Sequence, residues 1–394
     1  MYLLPKPKTI KEQDGQMLLC HSTHIVMTKE VAETEMHAAK RLQEAIRQET
    51  GLILPFSVGE VREGDLSLGI AKTLPEQTYE ITIDEKGGQI SGGDGAGVLY
   101  GVETFCQIVQ QCGGILPCVQ IQDAPDMPNR GYYFDQTRGR VLKLEELKKI
   151  ADRMCRYKLN QLQLYVEHTY LFRDFSEMWR DQTPLTAEEI LELDSYCRER
   201  HIELVPSLAS FGHLCTLLST KTYGDLCEME DSWKEPFSFW NRMRYHTINV
   251  SDERSLPLIK KVIAEYMQLF SSNKFNICAD ETFCLGKYKS KKLAEERGVH
   301  RLYIDYVKEL AQFLVENGKI PMFWGDIIWN SPELMKELPE SMICLNWGYA
   351  PEQREDETRA IAQTGAVQYL CPGVCGWNQW ANLIENSYKN ITRM

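Results

Sequence analysis

FNICAD (275–280) is the segment that decides the fold, because apolar strands of this kind recur along the chain, each followed by a helical pattern. The same pattern predicts six further strands, which are GYYFD (131–135), LNQLQLYVE (159–167), HIELVPS (201–207), IPMFWGD (320–326), MICLNW (342–347) and AVQYLC (366–371). Helices are predicted after them, over 144–156, 186–200 and 254–270 and in a long region ending at Glu316. Seven strand–helix units in series predict an α/β protein with a TIM (β/α)8-type barrel rather than an open doubly wound sheet.

The two ends of the chain differ from this pattern. A TIM barrel needs eight units, and the sequence ends at Met394 soon after the seventh helix begins, so we expect a barrel over 123–394 that lacks its eighth unit and is truncated at the C-terminal end. Residues 1–122 predict a small α+β accessory domain, with a hairpin at 78–95 and a helix at 97–111. The proline-containing segment at 121–130 is interpreted as the joint between the two domains.

Composition excludes some partners. The net charge of -12 and the pI of about 5.3 argue against nucleic acid and anionic membranes, which repel an acidic surface. The first residues lack the features of an export signal, and no apolar run approaches the length of a membrane span. Thirteen cysteines without framework spacing are typical of reduced thiols, so we expect a cytoplasmic protein. Homo-oligomer formation is left open.

Cofactor and metal motifs are weak. The glycine-rich GGDGAG (92–97) lacks the lysine and hydroxyl residue of a phosphate loop. Cys371 and Cys375 have no second pair, and His213 near Cys215 and Cys227 is interpreted as a pocket histidine rather than a zinc ligand. We therefore expect no cofactor and no metal.

Candidate site residues cluster where the predicted strands end, which in a TIM barrel is the face of the active site. Carboxylates, an arginine and large aromatic rings together are typical of a sugar pocket. Asp280 and Glu281 are the sharpest feature, because two close carboxylates cannot both ionise cheaply and one can then donate a proton. The set by strand is Asp135 and Arg138, Glu167 and His168, Gly212 and His213, Asp280 and Glu281, Trp324 and Asp326, Trp347 and Tyr349, and Trp377.

Several of these segments resemble glycoside hydrolase family 20. FNICADE is similar to that family's His-Ile-Gly-x-Asp-Glu signature, with Asn276 in place of the histidine and Cys278 in place of the glycine. RGYYFDQTR (130–138), PSLASFGH (206–213) and FWGDI (323–327) resemble the motifs of its first, third and fifth strands. LLPKPKTI and GVLYGVETFCQI resemble its accessory domain, so the resemblance spans nearly the whole chain. LYVEHTYLF (164–172) and DETFCLGKY (280–288) favour the branch with hexosaminidase D and related bacterial cytoplasmic enzymes.

The resemblance implies an exo-acting β-N-acetylhexosaminidase with a retaining, substrate-assisted mechanism. Glu281 would be the general acid and base, and Asp280 would orient the substrate's 2-acetamido group. His213 would relay charge to the acid, with Glu167 as its partner from strand two, although the usual His-x-x-Asp of that strand is missing. Arg138 would bind the hydroxyls of the terminal sugar.

The remaining roles implied by the resemblance concern the pocket wall. Trp324, Trp347 and Trp377 would surround the N-acetyl methyl group and the sugar faces. Tyr349, or else Tyr369, would bond the acetamide oxygen, and Asp326 is included among the substrate-binding residues. The sequence does not distinguish a terminal GlcNAc from GalNAc.

Two alternatives stay open. A retaining glycosidase could use a protein nucleophile such as Asp326 or Glu167, and a silent sugar-binding protein could use the same barrel. The loop 208–253, with Trp233, Phe237 and Trp240, fits a pocket wall and a partner surface equally well.

Overall fold

The computed structural model describes residues 1–352, 355–374 and 381–394. These residues form two compact units. The first contains Met1–Tyr132, Lys143–Leu162 and Glu192–Leu204, and the second contains Tyr133–Leu142, Gln163–Leu191 and Val205–Met394. Because the first unit includes stretches from beyond residue 123, the domain boundary predicted at residues 122 and 123 stays a prediction.

A seven-stranded mixed sheet with helices is the core of the first unit, in agreement with the predicted small α+β fold. The strand order is β1-β7-β5-β6-β4-β2-β3, and the predicted hairpin is the antiparallel pair β5–β6. The bounds are β1 Thr9–Leu18, β2 Ile25–Met27, β3 Phe56–Val58, β4 Leu66–Ile70, β5 Tyr79–Asp84, β6 Gly87–Gly92 and β7 Ile115–Asp123, with α1 Lys29–Thr34, α2 Met36–Thr50 and α3 Gly95–Cys112.

Local sequence explains these elements. Along β5 the residues Tyr79, Ile81 and Ile83 are buried and their neighbours are not, which is the period-two pattern of a strand with one face on a core. Helix α3 begins where the side chain of Asp94 accepts a hydrogen bond of 2.7 Å from the backbone N–H of Gly97, a standard N-cap.

The second sheet also has seven strands, in the order β14-β13-β12-β11-β10-β9-β8. Its bounds are β8 Gly131–Asp135, β9 Gln161–Val166, β10 Glu203–Leu208, β11 Lys274–Asn276, β12 Ile320–Trp324, β13 Ile343–Gly348 and β14 Val367–Pro372. The helices that follow are α4 Leu144–Arg156, α5 Ser176–Trp179, α6 Ala187–Arg198, α7 Cys215–Leu218, α8 Phe239–Arg244, α9 Ser255–Met267, α10 Lys291–Arg297, α11 Val299–Glu316, α12 Glu355–Gln363 and α13 Ile384–Arg393, with short 3-10 helices at Gly224–Leu226, Ser232–Lys234, Ile328–Asn330 and Pro332–Glu337.

This second sheet is that of a TIM-type barrel, as predicted. Neighbouring strands follow one another in chain order, and the pairs from β10 to β14 are parallel. Strand β9 is buried at every position, as expected where both faces of a parallel sheet are covered. Within the residues that the structure describes, no eighth strand joins β8 or β14.

Two predicted elements differ from the structure. The strand predicted through Asp280 ends at Asn276, because the residues that follow leave the extended conformation. The long helical region ending at Glu316 is two helices, α10 and α11, separated by Gly298 with a φ of 86°. None of the helices in the described part of the chain is long and apolar enough to cross a membrane.

Gly97 lets α3 approach the chain before β5, and this contact generates a stability prediction. A Cβ atom added to Gly97 would lie 2.2 Å from the carbonyl oxygen of Thr78. Although alanine is favoured over glycine in helices by about 1 kcal/mol, overpacking costs ~1–3 kcal/mol. We therefore expect Gly97→Ala to lower the free energy of unfolding, measured by urea denaturation. Gly114→Ala is the control, because its Cβ would meet nothing closer than 3.6 Å. A Gly97→Ala protein as stable as the Gly114→Ala protein would contradict this packing.

Candidate active site

A left-handed turn follows β11 and carries the two adjacent carboxylates. Cys278, Ala279 and Glu281 have φ values of 58°, 63° and 48°. In a regular strand neighbouring side chains point to opposite faces, whereas here the carboxylates of Asp280 and Glu281 converge. Each places an oxygen 3.3 Å from Nε2 of His213. The turn therefore brings the predicted pair to one point.

Four side chains hold this turn through its backbone. A non-glycine residue in a sparsely populated conformation costs ~1–3 kcal/mol and persists only where its surroundings fix it. The hydrogen bonds run from the Cys278 N–H to Asn276 Oδ1 (2.8 Å), from Ser210 Oγ to the Ile277 carbonyl (2.6 Å), from the Tyr303 hydroxyl to the Ala279 carbonyl (3.0 Å) and from the Glu281 N–H to Asp326 Oδ2 (2.9 Å). Each of these bonds constrains the positions of the carboxylates.

The position before His213 has room only for a glycine, Gly212. A Cβ atom at this position would lie 2.5 Å from the carbonyl oxygen of Asp280, so only glycine lets the two loops touch. His213 follows with a φ of 60° and is almost fully buried. The third-strand and fourth-strand motifs thus meet backbone to backbone.

Charge in this cluster favours an ionised Asp280 beside a protonated His213. Burial alone would lower the pKa of His213, but the Asp280 carboxylate, with a contribution from Glu281, raises it to about 10. Burial would likewise raise the pKa of Asp280, but the charges of His213 and Arg138 lower it. Asp280 is therefore a negatively charged acceptor at neutral pH.

Asp326 behaves differently from Asp280. Burial, followed by the charge of Asp280, raises its pKa well above the ordinary value of an aspartate. Its Oδ2 accepts the N–H of Glu281, and its Oδ1 is buried with no hydrogen-bond partner among the described residues. Asp326 therefore supports the turn, in an environment that disfavours its charged form.

Arg138 is fixed in the loop after β8. Asp135 accepts hydrogen bonds from the N–H groups of Thr137 and Arg138 (2.9 and 2.8 Å), and from Nε of Arg138 (2.7 Å). The guanidinium lies 4.6 Å from the centre of the Tyr165 ring. Its charge reaches the cluster, since it acts on both Asp280 and His213.

Glu167, the predicted relay partner of His213, makes no hydrogen bond to it. The carboxylate is fully buried and accepts hydrogen bonds of 2.9 Å from both the Tyr165 hydroxyl and Nη2 of Arg242, with Nε of Arg138 at 3.9 Å. Burial would raise the pKa of Glu167, but Arg242 and then Arg138 lower it, so the side chain is ionised. Arg242 and Tyr165 thus each bind one oxygen of Glu167, while the charge of His213 also lowers its pKa, and the role of Glu167 as relay partner stays a prediction. Nδ1 of His213 has no hydrogen-bond partner among the described residues.

The predicted aromatic residues form two groups. Trp324 packs edge-on against Tyr133 with ring centres 4.9 Å apart, and the Tyr133 hydroxyl lies 3.9 Å from the sulfur of Cys278, the first residue of the turn. Trp347 and the half-exposed Tyr349 form a ring pair at 5.0 Å. Tyr369 is half-buried in β14, and Trp377 lies outside the described residues.

Sequence reasoning missed Tyr165, Arg242 and Asn276 as parts of this site. Tyr165 could have been found, because it stands two residues before Glu167 and therefore on the same face of the strand. Arg242 gives no such signal, since it is one of several cations in the loop 208–253. Asn276 was noted only as a departure from the family pattern, and the structure shows that its side chain caps the turn.

One group of side chains in the described part of the chain has the spacing of metal ligands. His213, Asp280 and Glu281 each offer an atom, and these atoms lie within 4.8 Å of one another. The cysteines of the described residues are free thiols and form no disulfide with one another.

A TIM-type parallel sheet with paired carboxylates, a buried histidine and indole rings beside its strand ends is the architecture of a barrel glycoside hydrolase. Comparison with family models identifies which one. Residues 1–124 match "Glycosyl hydrolase family 20, domain 2", and residues 128–382 match "Glycosyl hydrolase family 20, catalytic domain". The chain belongs to glycoside hydrolase family 20.

Individual relatives agree with this assignment. A β-hexosaminidase of Porphyromonas gingivalis is 24% identical over 95% of this chain and 50% of its own length, and one of Vibrio furnissii is 26% identical over 71% and 48%. The chain thus spans about half the length of these curated relatives. Among solved structures, a Streptomyces plicatus β-hexosaminidase mutant in complex with the product GlcNAc has a TM-score of 0.78 at 20% identity, covering 94% of this chain and 74% of that one. This last likeness shows the shared fold.

The pairing of Glu167 with Arg242 generates a stability prediction. Removing one partner of a buried ion pair leaves an uncompensated charge, so we expect Arg242→Met to lower the free energy of unfolding by about 3 kcal/mol. Arg254→Met is the control, because Arg254 makes its ion pairs with Asp225 and Asp252 on the surface and should matter much less. Urea denaturation of both variants measures the difference. Adding Glu167→Gln to Arg242→Met should recover part of the loss; equal effects of the two arginine variants would contradict the assignment.

Proposed function

We propose that this chain is an exo-acting β-N-acetylhexosaminidase that removes terminal β-linked GlcNAc or GalNAc. One observation carries the proposal, namely that carboxylate oxygens of Asp280 and Glu281 both lie 3.3 Å from Nε2 of His213. Family 20 is an exception to the two-carboxylate mechanism of most glycosidases, because the substrate's own acetamide oxygen attacks the anomeric carbon. The configuration is retained through an oxazolinium intermediate.

Asp280 is proposed to orient the acetamide. Its lowered pKa supports an ionised acceptor for the acetamide N–H, which would direct the carbonyl oxygen at the anomeric carbon. The same negative charge would stabilise the positive charge that develops on the oxazolinium ring. The hydrogen-bonded turn keeps this carboxylate in place before the substrate arrives.

Glu281 is proposed as the proton donor and, later, the base. Its side chain is 25% exposed, against 18% for Asp280, so it is the more accessible of the two to a leaving-group oxygen and a water molecule. It would protonate the glycosidic oxygen and then deprotonate the water that opens the oxazolinium. His213 is buried against both acids, and its positive charge is proposed to stabilise the negative charge of the pair.

A protein nucleophile is less well supported. Burial and the charge of Asp280 raise the pKa of Asp326, which disfavours the carboxylate that a nucleophile needs, and one of its oxygens accepts the N–H of Glu281. Glu167 is ionised but is held by Arg242 and by the Tyr165 hydroxyl. These constraints disfavour attack by either side chain and favour the acetamide of the substrate.

The remaining predicted residues keep their roles as proposals. Arg138 would bind hydroxyls of the terminal sugar, and Trp324 and Trp347 would contact its apolar surfaces. Tyr349 is half exposed beside Trp347, which suits a hydroxyl that bonds the acetamide oxygen. The product GlcNAc bound to the Streptomyces plicatus relative supports an N-acetylhexosamine as the substrate. Free thiols in the described residues support a reducing, cytoplasmic location.

Hydrolysis of the nitrophenyl β-glycosides of GlcNAc and GalNAc tests the proposal. We expect turnover of at least one of them, and a fall in kcat of ~10²–10⁴-fold in Glu281→Gln, because that variant loses the proton donor. Asp280→Asn should lower kcat by ~10²–10³-fold, because it loses the charge that stabilises the intermediate. Tyr157→Phe, which changes an exposed side chain, controls for the effects of mutagenesis and purification, and its kcat should equal that of the wild type. Sugar binding by calorimetry without turnover would instead indicate a silent binding protein.

Inhibitors separate the two retaining mechanisms. A thiazoline analogue of the oxazoline should inhibit the wild type competitively, and Asp280→Asn should bind it more weakly because the ring nitrogen loses its charged partner. A 2-fluoro sugar should leave no covalent adduct detectable by mass spectrometry. An adduct on Asp326 or Glu167 would replace the acetamide mechanism with a protein nucleophile.

A further inference from the structure

The spacing of His213, Asp280 and Glu281 also fits a metal ion in place of the ring proton. Nε2 of His213 lies 3.3 Å from Asp280 Oδ2 and 3.3 Å from Glu281 Oε2. Charge-assisted N–H···O bonds are usually ~2.7–2.9 Å long. Two ligands ~2.0–2.1 Å from a tetrahedral zinc ion are separated by about 3.3–3.4 Å, which is the edge of the tetrahedron. The distances from the imidazole to the two carboxylates therefore match that edge, and all three ligand atoms lie within 4.8 Å of one another.

Unsatisfied buried groups at the same point are an independent observation. His213 is almost fully buried; its Nε2 lies in ion-pair distance of both acids without a well-aligned hydrogen bond, and its Nδ1 has no hydrogen-bond partner among the described residues. Asp326 Oδ1, on the acid that holds the turn, is also buried without a partner. A buried polar atom without an aligned hydrogen bond costs free energy, and a cation coordinated by Nε2 of His213 would recover that cost at this atom.

From this geometry we infer that His213, Asp280 and Glu281 form an inhibitory zinc site. One imidazole and two carboxylates make three protein ligands, and a water molecule would take the fourth position. Calcium and magnesium fit less well, because they take six or more oxygen ligands, whereas imidazole suits zinc. Binding releases the ring proton to solvent, since histidine coordinates as a neutral ring.

The consequence for catalysis rests on the proposed function. A zinc ion on Asp280 would occupy the oxygen that the acetamide N–H needs, and on Glu281 it would block proton donation. Zinc should therefore compete with the sugar at this site and reversibly inhibit hydrolysis.

Metal binding can be tested without any substrate. The chain is freed of metal with EDTA, dialysed and titrated with ZnCl2 by calorimetry and with CoCl2 by absorption spectroscopy. We expect one metal per chain and visible cobalt bands of a four- or five-coordinate ion. Glu281→Gln, which keeps the side-chain size, should lose at least ~10-fold in affinity, and His213→Asn at least ~100-fold. Thermal melts check that each variant is folded. If His213→Asn does not fold, the zinc affinity of Glu281→Gln alone tests the site.

His300→Asn is the control for metal bound by surface histidines, because His300 is exposed and is not one of the three clustered side chains. It should bind zinc as the wild type does. Absence of stoichiometric binding, or unchanged affinity in Glu281→Gln, would overturn the site. Zinc binding by a wild type that hydrolyses neither nitrophenyl substrate would refute the proposed function and leave the site standing. Hydrolysis that is unaffected when zinc saturates the calorimetric site would refute the inhibition.

Discussion

The left-handed turn at residues 278–281 is the constraint on which the site depends. Regular strand geometry would separate Asp280 from Glu281, so their convergence requires a backbone that ordinary residues avoid. The free-energy cost is offset by hydrogen bonds from four surrounding side chains, which come from β11 itself, from the loop after β10, from α11 and from the end of β12. The site is thus built by the packing of several units.

Polar residues inside the sheet extend this support below the turn. The Asn276 side chain donates to Gln163 Oε1 at 3.1 Å while its own oxygen caps Cys278. Cys278 lies 3.3 Å from the hydroxyl of Ser207, which in turn contacts Tyr133 at 3.0 Å. The two departures from the family signature therefore form part of a connected buried network. Because a half-satisfied buried network is costly, residues at these positions are expected to change together rather than singly.

The sequence predicts the strands well and the contacts of the site less well. Helix α4 and strand β8 have the predicted bounds, because strong apolar periodicity and flanking polar residues mark them. The sequence places the end of β11 too late, at Asp280 instead of Asn276. The reason is that Ile277, Cys278 and Ala279 are apolar, as in a strand, but belong to a turn that long-range hydrogen bonds stabilise. Arg242 could not be found either, because its contact with Glu167 joins residues 75 positions apart. Local sequence patterns indicate secondary-structure propensity, whereas the end of β11 and the Arg242–Glu167 pair depend on contacts between residues that are far apart in the chain.

Arg242 changes what the loop 208–253 does in this chain. The loop supplies His213 at its beginning and Arg242 in α8, and Met243 of that helix lies 3.1 Å from Nη1 of Arg138. Arg242 is the first of the charges that lower the pKa of Glu167, and the charge of His213 acts on Glu167 as well as on Asp280. The loop thus supplies both the histidine that lies against the two acids and the cation that pairs with Glu167, in addition to any role as a pocket wall.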